Sequence, residues 1–295
     1  MTVNPLQGVL MVLLAAVCWG TTGTAQSFVP PSLPAYWVGA LRLAVSALFF
    51  IALLAWRGPP RRPHLAWPPV LLAAVAMAAY NLAFFAGVRT SGVAVGTAVA
   101  VGSGPIWAGL LQALRGQRPA ARWWAGTGLA VLGGVLMVGA GAGPSQQAPT
   151  VVGLLLCLSA GLSYAIYALV NQQLVVAADP AWATGAVFSL AALIALPAAW
   201  AIAGSVALTA QDVLIVSYMG VVATGVAYLL FSHALRHISA ATGVTLALAE
   251  PVTAFVLAVL VVGERPGWWA AAGGLLVLGG LLLVVWAELR THRRA

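Results

Sequence analysis

The chain has 295 residues, 62% of them hydrophobic and only 6% charged, with a mean hydropathy of +1.02. A soluble domain carries roughly 25% charged residues and about 45–50% apolar ones, so a water-soluble fold is excluded and lipid is the expected solvent. The net charge of +8 comes from 13 basic residues, all arginine and mostly single or paired between apolar runs, a pattern that fits the positive-inside rule and not a nucleic-acid surface.

In chain order, the N-terminal MTVNPLQG has no Lys or Arg, so the first apolar run reads as a retained helix and not a cleaved leader. Ten runs reach membrane-spanning length, about 7–25, 35–56, 67–87, 92–114, 121–141, 151–171, 182–203, 211–232, 239–262 and 268–287, against the roughly 17–25 residues a crossing needs. Breaks fall at Pro30-Pro31, GPPRRPH (58–64), Arg89, GQRP (116–119), GAGPSQQAP (141–149), Asp179-Pro180, near Asp212, at Arg236-His237 and at GERP (263–266). With both termini inside, Arg57, Arg61, Arg62, Arg115, Arg118, Arg122, Arg236, Arg290, Arg293 and Arg294 are cytoplasmic, and only Arg89 and Arg265 lie outside. That bias supports ten spans with both ends cytoplasmic.

The loops are short, and no GxxxxGK[ST] motif exists in a chain without lysine, which rules out a P-loop ATPase domain within it. Cys18 and Cys157 both lie in apolar runs, so no metal site, cofactor or disulfide framework is expected. An intramembrane enzyme would need a catalytic pair, and none is evident.

Tyr80 to Pro119 is a weak copy of Tyr228 to Pro266. Tyr80 matches Tyr228, Arg89-Thr90-Ser91 matches His237-Ile238-Ser239, Pro105 matches Pro251 and GQRP matches GERP, at offsets of 146 to 148 residues. The chain therefore divides into 1–145 and 146–295. Five spans is an odd number, so the second copy enters the membrane inverted. The expected fold is all-α, with ten transmembrane helices as two inverted five-helix repeats, a common transporter plan.

Polar and aromatic residues within the spans are the candidate site. Glu250, in mid-span before Pro251, is either a proton-coupling group, a partner for a substrate amine or a brace for a kinked helix. Pro251 removes a backbone donor and is expected to leave an earlier carbonyl free. Pro105 is expected to bend the first copy in the same way, but after Gly102-Ser103-Gly104 and not a carboxylate. Arg42 either attracts an anion, snorkels to the headgroups or braces helices through a carbonyl. Tyr80, Asn81 and Phe84 share a helical face, as do Tyr164, Tyr167 and Asn171, and Tyr228 and Phe231 with Ser232 beside them. With Trp19, Ser103, Trp107 and Thr245, they are expected to line a cavity of flat apolar walls with scattered polar groups. Trp56, Trp67, Trp123, Trp124, Trp268, Trp269 and Trp286 read as an interfacial belt. Asp179, Asp212 and Glu264 read as boundary charges, and the fifth and tenth spans, rich in Gly and Leu, as packing or dimerisation helices.

The duplicated five-helix unit, Trp19-Gly20, Arg42, and above all LALAEPVTAFVLAVLVVGERP (Leu246 to Pro266) resemble the drug/metabolite transporter superfamily in its ten-helix EamA-type branch. The first copy departs from that pattern, with GQRP where many members have a glutamate. The resemblance implies a carrier, not an enzyme, that exports small metabolites by alternating access: amino acids, aromatic ones included, or organic cations. Channel and scaffold functions are the alternatives of another class. Oligomeric state stays open, a monomer included.

Overall fold

In hydrocarbon every backbone N–H and C=O must be satisfied within its own segment, so apolar runs of this length fold as helices. The computed structural model, which describes residues 4–26, 33–58, 65–140, 150–257, 259–260 and 267–292, contains helices and no strand among them. The first seven are α1 (Pro5–Gln26), α2 (Ala35–Arg57), α3 (Trp67–Ser91), α4 (Val93–Leu114), α5 (Ala121–Ala140), α6 (Val151–Ala177) and α7 (Pro180–Ala203). The eighth span joins α8a (Ala210–Gly220) to α8b (Ala227–Ala234) through a π-helical turn, Val221–Val226. The ninth comprises α9a (Ala240–Leu246) and α9b (Ala249–Leu257), and the last is α10 (Trp268–His292). Nine spans among the described residues are long and apolar enough to cross a membrane, and α5, at 20 residues, has the length for a tenth. Pro30-Pro31, most of GPPRRPH, GAGPSQQAP, GERP with Glu264 and Arg265, and Arg293-Arg294 lie outside the described residues.

Helix contacts follow the repeat. α5 packs along α10 and α2 along α7, each against its own counterpart. The α3–α6 contact is matched by α8–α1, and α4–α6 by α9–α1. Exchanging each helix in these pairs for the one five places away returns a pair that is also in contact, as a pseudo-twofold axis relating two inverted halves requires.

The α5–α10 seam is backbone against backbone. A Cβ on Gly133 would lie 2.5 Å from the Gly273 oxygen, and one on Gly280 2.5 Å from the Gly126 oxygen. Small residues allow such approach where lipid provides no hydrophobic drive. Helix starts are capped by side chains: Asp179 accepts from Ala181 and Trp182, and Thr209 and Asp212 form a capping box. These two acids therefore have a defined role at the boundaries, satisfying orphan N–H groups.

Three expectations need correction. Trp123 is not a belt residue: it is buried, and it packs with Trp124 over Gly109 of α4. Trp286 lies between two guanidinium groups, 4.6 Å from Arg122 and 3.8 Å from Arg290, whereas Trp56, Trp67, Trp268 and Trp269 are exposed. The carbonyl released by Pro251 is not free, because the Ala247 oxygen accepts the Glu250 N–H at 2.9 Å. Nor do the prolines act alike. The ninth span breaks at Ala247-Leu248, while α4 runs unbroken through Pro105.

Candidate substrate site

Four helices, α1 and α3 from the first half and α6 and α8b from the second, bring their aromatic faces together. Trp19 meets Tyr228 at 5.1 Å, Phe231 at 5.7 Å and Tyr164 at 6.5 Å between ring centroids. Tyr164 meets Tyr80 at 5.3 Å and Tyr167 at 6.3 Å, and Phe84 lies 5.7 Å from Tyr80. Phe188 of α7 completes the cluster, 4.9 Å from Tyr228. Helical 3–4 spacing puts the rings of each helix on one face, and inversion turns those faces toward one another.

Exposure divides the cluster. Trp19, Tyr167, Tyr228 and Phe231 are buried, whereas Tyr80, Phe84 and Tyr164 are half-buried. Among the described residues, the Trp19 Nε1 and the Tyr164 hydroxyl are buried without a hydrogen-bond partner, as are Asn81 Oδ1 and Trp107 Nε1. Each keeps unused hydrogen-bonding capacity that a low-dielectric interior penalises. Asn81 uses its amide N–H on the Met77 carbonyl of its own helix at 3.0 Å.

Other predicted site residues fall elsewhere. Asn171 donates to Ser232 at 2.9 Å and Thr184 donates to the same hydroxyl at 2.7 Å, a polar lock joining α6, α7 and α8b behind the rings. Thr245 lies 3.4 Å from Thr127 of α5 and donates to the Ala241 carbonyl. Ser103 lines an apolar groove of about 360 Å³ among α4, α5 and α6.

The two intramembrane charges flank the rings. Arg42 is buried, with its Nε donating to Thr224 at 3.0 Å and its guanidinium 5.8 Å from the Phe85 ring. Thr224 donates in turn to the Met219 carbonyl five residues back, within the π-helical turn. Glu250 is half-buried on α9b and makes no side-chain hydrogen bond to a described residue. Gly20 lets α1 pass α9b closely, since a Cβ there would lie 2.6 Å from the Thr253 side chain and 3.0 Å from the Glu250 backbone carbonyl oxygen. Arg42 and Glu250 interact electrostatically, and Tyr80 is within electrostatic reach of both.

At the end of the bundle that carries the chain termini, the start of α9a is clasped from three sides. Glu288 of α10, buried, accepts from Ser239 N at 2.8 Å, Ser239 Oγ at 3.1 Å and Thr242 Oγ1 at 2.6 Å. Gln172 of α6 donates to the Leu235 and Ile238 carbonyls and accepts from Ala240 N, while Gln112 of α4 accepts from Ala241 N. Sequence reading missed all three residues. Glu288 sits just past the last apolar run, and its one cue was an acid in a final helical turn, where the helix dipole favours cations.

In the loop beside the clasp, the Asn4 N–H donates to His237 Nδ1 at 3.2 Å. Burial first, then Arg236 and His233, push the His237 pKa below its ordinary 6.5. A depressed histidine favours the folded state above its unfolded pKa, and that contribution is lost as pH falls through the lowered value. From about pH 7.5 to about pH 5, wild type should therefore lose about 2 °C more in thermal midpoint than His237→Gln, which accepts the same bond without titrating. Parallel melting curves across that range would remove His237 from the pH response.

Comparison with known proteins agrees with this architecture. The chain is 39% identical over 292 residues to the uncharacterized transporter YwfM of Bacillus subtilis (strain 168), covering 97% of this chain and 96% of that one. A protein of known crystal structure, 20% identical, superposes with a TM-score of 0.83 over 96% of this chain and 98% of its own, a likeness of fold. The model of the EamA-like transporter family matches twice, at residues 6–139 and 151–286, once in each half. This multi-pass membrane protein belongs to the EamA-like transporter family.

Proposed function

We propose that the chain is an alternating-access exporter of small amphiphilic metabolites, amino acids first and aromatic ones among them. In this reading it sits in the bacterial inner membrane with both termini cytoplasmic. The two repeats, 1–145 and 146–295, rock about their pseudo-twofold axis and open the ring cluster to each side in turn. The observation that carries the proposal is the cluster itself: half-buried Tyr80, Phe84 and Tyr164, contributed by both halves, beside unpartnered polar atoms. Flat rings with a few polar groups suit an amphiphile with a planar side chain.

Purified protein in liposomes, offered the twenty amino acids and a methylated pyridinium cation with and without a pH gradient, tests this. Saturable counterflow of aromatic amino acids is expected, reduced at least tenfold by Tyr80→Ala or Tyr228→Ala. The half-buried Glu250 carboxylate, without a side-chain hydrogen bond to a described residue, favours a second reading, a proton-coupled exporter of organic cations. Cation flux that needs the pH gradient and vanishes in Glu250→Gln would establish that reading in place of the first.

A further inference from the structure

We infer that Arg42 and Glu250 together read a zwitterion, so that a ligand of the ring site must carry one anionic and one cationic group. The inference deepens the amino-acid reading above and rests on it. Among the described residues the Arg42 guanidinium is hydrogen-bonded through Nε alone, to Thr224, and its paired Nη groups have no oxygen acceptor there. Glu250 likewise has a carboxylate without a side-chain hydrogen bond to a described residue. A charge removed from water is costly unless it is paired and hydrogen-bonded.

Each charge is held by its own helix. Arg42 is anchored through Thr224 to the π-helical turn of α8, and Glu250 is fixed beside Pro251 where α9b crosses α1 at Gly20. They act on each other, and Tyr80 feels both, yet the Arg42 Nε is committed to Thr224. A lone organic cation would satisfy Glu250 and leave the guanidinium unanswered. A lone carboxylate would satisfy Arg42, whose planar fork matches carboxylate geometry, and leave Glu250 unpaired. An α-amino acid answers both with groups on a single carbon, while its side chain lies against Tyr80, Phe84 and Tyr164. The Trp19 Nε1–H adds an unused donor to the same ring cluster.

The test is equilibrium binding of radiolabelled L-phenylalanine to the purified full-length protein in detergent. The competitors are unlabelled L-phenylalanine, 2-phenylethylamine (no carboxylate) and 3-phenylpropionate (no amine). On wild type, both analogues should compete at least tenfold more weakly than phenylalanine. In Glu250→Gln, an isosteric change at a side chain without hydrogen bonds to described residues, phenylalanine should weaken at least tenfold and 3-phenylpropionate should come within about threefold of it. Phenylethylamine competing as well as phenylalanine on wild type would overturn the inference and leave the carrier standing. So would Glu250→Gln without effect. Failure of phenylalanine to bind at all would remove the amino-acid reading and this inference with it.

Discussion

Gly133→Val should lower the thermal midpoint of the detergent-solubilised protein by about 10 °C, while Gly134→Val, one residue along the same helix, should move it by less than about 3 °C. At Gly133 a new Cβ would lie 2.5 Å from the Gly273 oxygen and 2.6 Å from the Val277 nitrogen, both backbone atoms that cannot turn aside. At Gly134 nothing stands within 4 Å. Both substitutions change helix propensity alike, so the difference between them isolates the clash. Overpacking costs roughly 1–3 kcal/mol, occasionally more, and the two atoms nearest the new Cβ at Gly133 belong to the backbone and not to the end of a flexible side chain. Size-exclusion chromatography after heating reads the result. Equal losses at the two positions would mean that α5 and α10 do not meet along this face.

The second large effect is expected at Glu288. A cysteine substituted for Ala241, a residue 1% exposed at the start of α9a, should react with a membrane-impermeant thiol reagent at least tenfold faster in a Glu288→Ala background. Removing the carboxylate leaves the Ser239 N–H and the Ser239 and Thr242 hydroxyls without that acceptor, in a site shielded from water. Leaving such donors unsatisfied costs about 1–3 kcal/mol, and hydrogen bonds to a charged acceptor are the stronger kind. Glu288→Gln keeps an acceptor and should fall between the two. The parent chain, with Cys18 and Cys157 alone, sets the background. Unchanged labelling in Glu288→Ala would show that this clasp is not what closes the terminal end.

The ten spans were readable because lipid imposes a length and an apolar composition on each crossing, and the inversion followed from an odd number of spans in each copy. Clustering of Trp19, Tyr80, Tyr164 and Tyr228 could be anticipated from helical spacing combined with inversion, since both are properties of the backbone. What escaped depended on partners far away in sequence. Nothing near Glu288 announces that Ser239 and Thr242 lie against it, and Gln112 and Gln172 look like ordinary helix-end amides. Trp123 shared the composition of an interfacial anchor, and only the glycine opposite it, Gly109, draws it inward. Pro251 correctly marked a disturbed helix, but one residue's shift in hydrogen bonding, Glu250 N to the Ala247 oxygen, reclaimed the carbonyl it had released. Phe188 was passed over because no second aromatic residue stands three or four positions from it in α7 to mark a ring-bearing face.

The wide turn in the eighth span gives that helix a torsional joint. α8a is tethered just before the turn, where Tyr218 donates to Thr21 of α1 at 2.7 Å, and Gly220 lets it seat against Val45 of α2. α8b carries Tyr228, Phe231 and Ser232. Between them, the Thr224 hydroxyl bonds to the Met219 carbonyl and accepts from Arg42. An α-helix advances about 100° per residue, so rewinding this turn by a single residue would swing the three α8b side chains through that angle while α8a stayed still. Arg42 grips the joint itself. Whatever draws the guanidinium away from Thr224 thereby slackens the spindle on which the rings turn.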